Sequence, residues 1–394
     1  MLSEAIKAFI EEHKDDDVHQ LLLSSQVLQG EDLRIAVQQI DGRQRIKQKL
    51  PSWYHNSSIY YPVHLSLEQC SSELTARYKE QLIKGDSLVD LTGGFGVDTT
   101  CLARNFKRVT YVEQNESLAL IAQANFKAFG LDNISVKVGQ AEQILAQLDE
   151  VDVVFIDPAR RNRAGAKVIS IADCTPNVLE IESELRQKAK KVLIKMSPML
   201  DVTLACRELT NIGEIHIVAV QNECKELLLL MDNSKEVVKS PHLYCVNLKG
   251  KEDFELFSYS LDQELEASVA YSSEVQKYLY EPNVALLKAG AYKVMSEYYH
   301  LSKLHVNSHL YTSNELVEAF PGRQFLVESV YGFDKSSLKS LKKNVKAANL
   351  TIRNFPSTVA QLRKKLKIVE GGNKYLFATT LHSGDKVIIV CSKI

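Results

Sequence analysis

The chain reads as an α/β protein built on a doubly wound, largely parallel sheet, and three observations predict it. Short apolar runs alternate with helix-length stretches over residues 86–209, the pattern of strands linked by crossover helices. A glycine-rich bend, Thr92-Gly93-Gly94-Phe95-Gly96, follows the first run and opens a helix. The last two runs, residues 214–220 and 226–231, are separated by five residues, too few for a parallel crossover, so the sheet closes with an antiparallel strand. Seven strands are expected, with ligands bound beyond their carboxyl ends.

The elements follow in order. Residues 1–50 carry helical periodicity in Leu2, Ile6, Phe9 and Ile10, then in 21–27 and 33–46. The aromatic cluster Trp53, Tyr54, Tyr60 and Tyr61 comes next and favours packing over base stacking. Residues 86–91 form a buried strand, 98–105 a helix, and 107–113 a second strand ending at Glu113. Helices are predicted at 118–129, 141–147, 176–189 and 201–209, and strands end near Val138, Asp157 and Lys195. Residues 243–248 and 254–259 read as a hairpin, 282–299 as one helix and 304–312 as a strand, a small α+β domain. The remainder reads βαβαββ: strands 325–331 and 350–355, helices 334–347 and 357–366, and a hairpin of 374–381 with 386–391.

The bend and the acid after it define a nucleoside pocket. Glycines there let the backbone take positive φ and approach a ligand closely. Glu113, at a strand's carboxyl end, can accept both ribose hydroxyls of an adenosine. A dinucleotide fingerprint requires a third glycine where this chain has Thr99. The spelling Asp90-Leu-Thr92-Gly93-Gly94-Phe-Gly96-Val-Asp98 suits S-adenosylmethionine instead, a cation without a pyrophosphate, and Asp90 and Asp98 supply a matching negative field. Transfer of a methyl group from a sulfonium is an in-line displacement that depends mainly on positioning, so no nucleophile or triad is required. Cys224 as a covalent nucleophile is the weaker reading.

Composition excludes other classes. Seven cysteines without a C-x-x-C pair indicate neither a disulfide framework nor a structural zinc, and His305 with His309 lacks further ligands. The acidic first residues are unlike a targeting peptide and no long apolar run exists, so a cytoplasmic protein without membrane contact is expected. A net charge of −1 conceals an asymmetry. Residues 321–394 hold 14 Lys and Arg against 4 Asp and Glu, a net of +10, whereas residues 1–320 hold 34 against 45. On the helix 334–347, Lys335, Lys339, Lys342, Lys343 and Lys346 fall within about 100° of arc, with Leu338, Leu341 and Val345 beside them. Arg363, Lys364, Lys365 and Lys367 add a second cluster, and together they point to a polyanionic partner.

These motifs resemble the class I S-adenosylmethionine-dependent methyltransferases, a Rossmann-like fold, over residues 66–232. The resemblance implies that Asp90, Thr92, Gly93, Gly94, Gly96, Asp98 and Glu113 hold the cofactor, with Gln140 and Ala141 at the adenine edge. Asp157-Pro158-Ala159-Arg160 stands where amino-directed nucleic-acid methyltransferases carry (Asp/Asn)-Pro-Pro-(aromatic), and departs from it at two of four positions. It implies that Asp157 and Pro158 orient an acceptor amine. The missing ring leaves Arg160, with Arg161 and Arg163, better suited to phosphate than to stacking. Glu281-Pro-Asn-Val, Arg353-Asn-Phe-Pro, Leu362-Arg-Lys-Lys-Leu-Lys and Glu370-Gly-Gly-Asn-Lys resemble a bacterial class I family with a C-terminal THUMP-like module. The expected organisation is a helical extension at 1–65, a catalytic domain at 66–232, a ferredoxin-like α+β domain at 233–320 and a basic THUMP-like domain at 321–394. The implied function is methylation of RNA. A small-molecule or protein acceptor, and a non-catalytic RNA-binding protein with a vestigial sheet, stay open.

Overall fold

The computed structural model describes residues 2–24, 27–160, 170–234 and 240–394. The chain divides into two compact units, Met1–Gly213 with Glu226–Lys239, and Glu214–Lys225 with Ser240–Ile394.

In the first unit the main run of paired strands follows the order Glu223–Asp232, Ala189–Met196, Val151–Ile156, Ser87–Asp90, Arg108–Glu113 and Ile134–Val138. Five are parallel, and Glu223–Asp232 runs antiparallel to Ala189–Met196. Val153, Val154, Phe155 and Ile156 are buried in succession, as a central parallel strand covered on both faces requires. Among the described residues the strands of this sheet number nine, two more than the seven expected: Ile212–Val220 pairs in parallel with His242–Leu248, which pairs antiparallel with Phe254–Ser260, and residues 214–220, 242–248 and 254–260 belong to the second unit. The helices Glu116–Ala128, Ala141–Ala146, Val178–Lys188 and Val202–Glu208 fall within two residues or so of their predicted ends.

The helical extension has a packing role. Ile6 and Phe9 of Glu4–Glu12 meet Ala36, Val37 and Ile40 of Gly30–Ile46. Trp53, 2% exposed, then packs its ring 4.6 Å from Phe95, inside the glycine bend, and 5.0 Å from Phe129. Packing, not stacking on a ligand, accounts for Trp53, Tyr54 and Tyr61, all buried.

The second unit contains a seven-stranded sheet in the order Ser302–Lys303, Tyr311–Ser313, Tyr278–Pro282, Gly322–Gly332, Lys386–Lys393, Lys374–Thr380 and Asn349–Arg353. The βαβαββ reading holds. Leu338, Leu341, Leu362 and Leu366 from its two helices cover one face through Leu376, Ala378, Ile388 and Val390. Phe325, Phe377, Val387 and Ile389 line the other with Leu304 and Leu310.

Three predicted elements change. Residues 282–299 are two helices, Val284–Ala289 and Lys293–Tyr298, because Gly290 takes φ 79° and caps the first. The strand expected at 304–312 is reduced to Tyr311–Ser313, with Ser302–Lys303 before it. The helix expected over 334–347 is Lys335–Asn344, capped by Asp334 and ended by Val345 in an extended, buried conformation. Lys346 therefore leaves the lysine face of that helix, and its Nζ donates to the Lys342 carbonyl at 2.8 Å.

Candidate active site

The glycine bend crosses the carboxyl ends of Ser87–Asp90 and Arg108–Glu113, which pair in parallel. The Gly93 amide donates to the Val112 carbonyl at 2.8 Å, and a Cβ on Gly93 would lie 2.0 Å from the Tyr111 ring. Gly94 and Gly96 take φ 54° and 84°, and the Tyr111 hydroxyl donates to the Gly94 carbonyl at 2.5 Å. Position 93 thus needs glycine for space, and 94 and 96 for conformation.

Glu113 is tied to this bend. Its Oε2 accepts from the Gly94 amide at 3.0 Å and its Oε1 from the Asn115 amide at 2.8 Å. Each oxygen keeps a second lone pair for an incoming hydroxyl. Beside it an open recess of about 470 Å³ is lined by Gln114, Asn115, Gly139, Gln140 and Gln143. Gln140 is exposed there, and Ala141 is buried at the start of its helix. A larger recess, about 680 Å³, lies in the second unit against residues 271–277 with Asn314 and Val327, and none of the expected site residues lines it.

Asp90 is 1% exposed and turned inward. It accepts from Thr99 Oγ1 at 2.5 Å and from the Thr92 amide at 3.0 Å, so it braces the loop. Burial pushes its carboxyl up to about 7, against those two hydrogen bonds. Thr92 Oγ1 in turn accepts from the Asp157 amide at 2.6 Å, linking the bend to the end of Val151–Ile156.

Asp98 belongs to a buried network that sequence reasoning missed. Ser71 Oγ donates to its Oδ2 at 2.7 Å, and Lys79 Nζ lies 3.2 Å from Oδ1 as an ion pair without hydrogen-bond geometry. Lys79 also donates to Glu226 Oε1 at 2.7 Å. Lys195 Nζ donates to Asp157 Oδ2 at 2.5 Å and stands 3.8 Å from Asp98 Oδ2. Burial, which alone would raise the Asp98 carboxyl, is overcome by Lys79 and Lys195, which hold it below its ordinary range. Burial would likewise lower Lys195, but Asp157, Asp98 and Glu226 outweigh it and raise the ammonium. Two lysines and three carboxylates thus compensate one another where water is scarce.

The structure brings together Asp90, Thr92, Gly93, Gly94, Gly96, Asp98, Glu113 and Asp157 on one end of the sheet. Pro158 is buried behind Asp157, and the Arg160 backbone pairs with Cys174. Arg161 and Arg163 lie outside the described residues. Lys335, Lys339, Lys343 and Lys346 are exposed in the second unit, and Lys342 is half-buried. Among the described residues no cluster of His, Cys, Asp and Glu could hold a metal, and no helix is long and apolar enough to cross a membrane.

Residues 73–191 match a family described as "Conserved hypothetical protein 95", residues 278–321 a ferredoxin-like domain and residues 322–393 a THUMP domain-like family. Among curated relatives, the chain is 30% identical over 134 residues to the 23S rRNA (uracil(1939)-C(5))-methyltransferase RlmD of Photobacterium angustum, covering 30% of this chain and 60% of that protein. It is 28% identical over 124 residues to a protein-L-isoaspartate O-methyltransferase of Helicobacter pylori, covering 31% of this chain and 59% of that one. The chain therefore spans 60% or less of these curated relatives. A solved structure, a "putative methyltransferase from Porphyromonas gingivalis W83", superposes with a TM-score of 0.91 at 35% identity, over 99% of this chain and 97% of that one. With that extent of likeness, the chain belongs to the family of the P. gingivalis protein, and in this chain a class I methyltransferase fold is joined to ferredoxin-like and THUMP-like domains.

Proposed function

We propose that the protein is an S-adenosylmethionine-dependent methyltransferase that modifies RNA. The observation that carries the cofactor is the Gly94 amide bound to Glu113 at the mouth of the recess by Gly139 and Gln140. That arrangement offers a carboxylate for the ribose and a cavity for the adenine edge. Asp98, on the helix that follows the bend and paired with Lys79 and Lys195, supports that loop from within. When bound, the cofactor supplies an electrophilic methyl group.

The residues of this chain then divide the work. Asp90, Thr92, Gly93, Gly94 and Gly96 shape the bend, and Glu113, Gln140 and Ala141 line the nucleoside position. Asp157, its side chain 34% exposed, accepts a hydrogen bond from the acceptor amine, and Pro158 fixes its backbone. Arg160, Arg161 and Arg163 contact phosphate. RNA as the acceptor is supported by the THUMP-like module and its exposed lysines, and by the rRNA methyltransferase among the relatives. The domain organisation proposed is a helical extension at 1–65, catalytic residues 66–232, a ferredoxin-like domain at 233–320 and a basic module at 321–394.

Calorimetric titration with S-adenosylmethionine tests the cofactor, and the double variant Asp98→Ala with Glu113→Ala should abolish the heat. Mass spectrometry of nucleosides from cells with and without the gene tests the acceptor. One modified nucleoside should disappear, and an unchanged profile would sink RNA as the acceptor.

A further inference from the structure

We propose that Lys195 is a positioning residue that fixes Asp157 for the acceptor, an assignment resting on the methyltransferase function above. Ala189–Met196 and Val151–Ile156 pair in parallel with Ile194 opposite Ile156. The next residue of each chain segment is Lys195 and Asp157, so the two stand side by side where the strands end. Lys195 Nζ donates to Asp157 Oδ2 at 2.5 Å, while the Asp157 amide is held by Thr92 Oγ1 at 2.6 Å. Among the described residues no donor engages Asp157 Oδ1. The carboxylate is therefore anchored at its backbone and at one oxygen, with the other oxygen left for a ligand.

Burial grades across this pair. The Lys195 side chain is 12% exposed and that of Asp157 is 34% exposed, so the lysine lies beneath the acid and leaves the acid's outer edge reachable. Lys195 also stands 3.8 Å from Asp98, on the helix that follows the glycine bend. One cation thus joins the acceptor-facing acid to the element beneath the cofactor loop. Lys79, paired with Asp98 and Glu226, occupies the far side of the same network.

In the transfer, the acceptor nitrogen's lone pair forms a bond to the methyl carbon. The carbon–sulfur bond breaks and its electron pair stays on sulfur. The nitrogen then carries one proton in excess, which passes to Asp157 Oδ1 and on to water. Lys195 holds Asp157 in one rotamer until that proton arrives, and it touches neither donor nor acceptor.

The test uses the full chain, labelled methyl donor and total RNA, with Lys195→Met, Asp157→Asn and the double variant. Each single change is expected to lower kcat about a hundredfold, the scale of a positioned proton acceptor, with the KM for the donor changed less than about threefold. The double variant should be no slower than Asp157→Asn alone, because both changes remove the same interaction. Lys195→Arg keeps the charge and should lose only about tenfold, a loss that vanishes in the Asp157→Asn background. Should Lys195→Met fail to fold, this arginine pair decides. Wild-type kcat in Lys195→Met, multiplicative losses in the double variant, or an equal arginine loss in both backgrounds would each overturn the role. Calorimetry with the donor separates the causes. A wild type that binds no donor overturns the methyltransferase function and this role with it. Lost donor binding in a folded Lys195→Met overturns the role alone, by placing Lys195 in the donor site.

Discussion

Lys79 Nζ lies 2.7 Å from Glu226 Oε1, joining helix Glu73–Leu82 to strand Glu223–Asp232, and the lysine side chain has no exposed surface. An ammonium so enclosed is tolerated because Glu226 and Asp98 flank it. Lys79→Met leaves Glu226 buried without its cation and is expected to cost about 3–5 kcal/mol, the range for breaking one side of a buried pair. Pairing it with Glu226→Gln should recover part of that loss. Urea unfolding of the wild type and the two variants measures both, and equal midpoints for wild type and Lys79→Met would disprove the dependence.

The glycine bend makes a sharper demand. Gly93→Ala drives a methyl group into the Tyr111 ring, whose three nearest atoms would stand at 2.0, 2.3 and 2.6 Å. Tyr111 is fully buried in the sheet and hydrogen-bonded to Gly94, so the loop must yield. The expected result is a folded protein whose affinity for S-adenosylmethionine falls about a hundredfold, because nucleoside positioning depends on the loop path. Tyr111→Leu removes the obstructing ring and should restore part of the binding in the Gly93→Ala background. Calorimetry across the set reads it directly.

Asp90 predicts a pH dependence with a definite sign. Its carboxyl stands at about 7 in the folded chain because of burial, against an ordinary value near 4 when unfolded. Between those values the folded state holds the proton more tightly, so this group's contribution is fully present below about pH 4 and is lost as pH rises to about 7. Asp90→Asn keeps the shape and can still meet Thr92 and Thr99 while removing the titration. Relative to wild type, its stability should gain on the order of a few kcal/mol between pH 5 and 8, following the size of the shift. Urea titrations at both pH values give the difference, and parallel pH profiles for the two proteins would refute it.

Part of this site was legible because its signals are local. A strand ending in Asp90, three glycines and a carboxylate twenty residues beyond the first of them can be read from spacing alone, and so can the βαβαββ order of the basic module. Lys79 and Glu226 are 147 positions apart, and nothing in either neighbourhood marks a buried ion pair. Lys195 looked like the polar end of a strand until its register placed it beside Asp157. Glu281 and Arg353 were each read in separate motifs, yet the buried Glu281 carboxylate accepts from both Arg323 and Arg353. Such pairings are fixed by tertiary packing. Gly290 is a different failure: the helix-stopping residue was visible, but apolar residues on both sides of it masked the break.

The lysines of the second unit lead to a prediction about salt. Lys335, Lys339 and Lys343 are exposed on Lys335–Asn344, and Leu338 and Leu341 fix that helix to the sheet, so the ammonium groups are presented on a rigid surface. Like charges so placed repel one another unless an anion lies across them. Each phosphate neutralised releases counterions, so affinity for RNA should fall steeply between 50 and 200 mM salt. Changing all three lysines to alanine should reduce the slope of log affinity against log salt by about three, near one unit per phosphate contact, and weaken binding similarly for unrelated sequences. Donor binding, measured in parallel, should stay at its wild-type value, because these residues and the glycine bend belong to different units. Fluorescence anisotropy on a labelled RNA supplies the slopes, and identical slopes for the triple variant and wild type would leave the lysine face without a role in RNA binding.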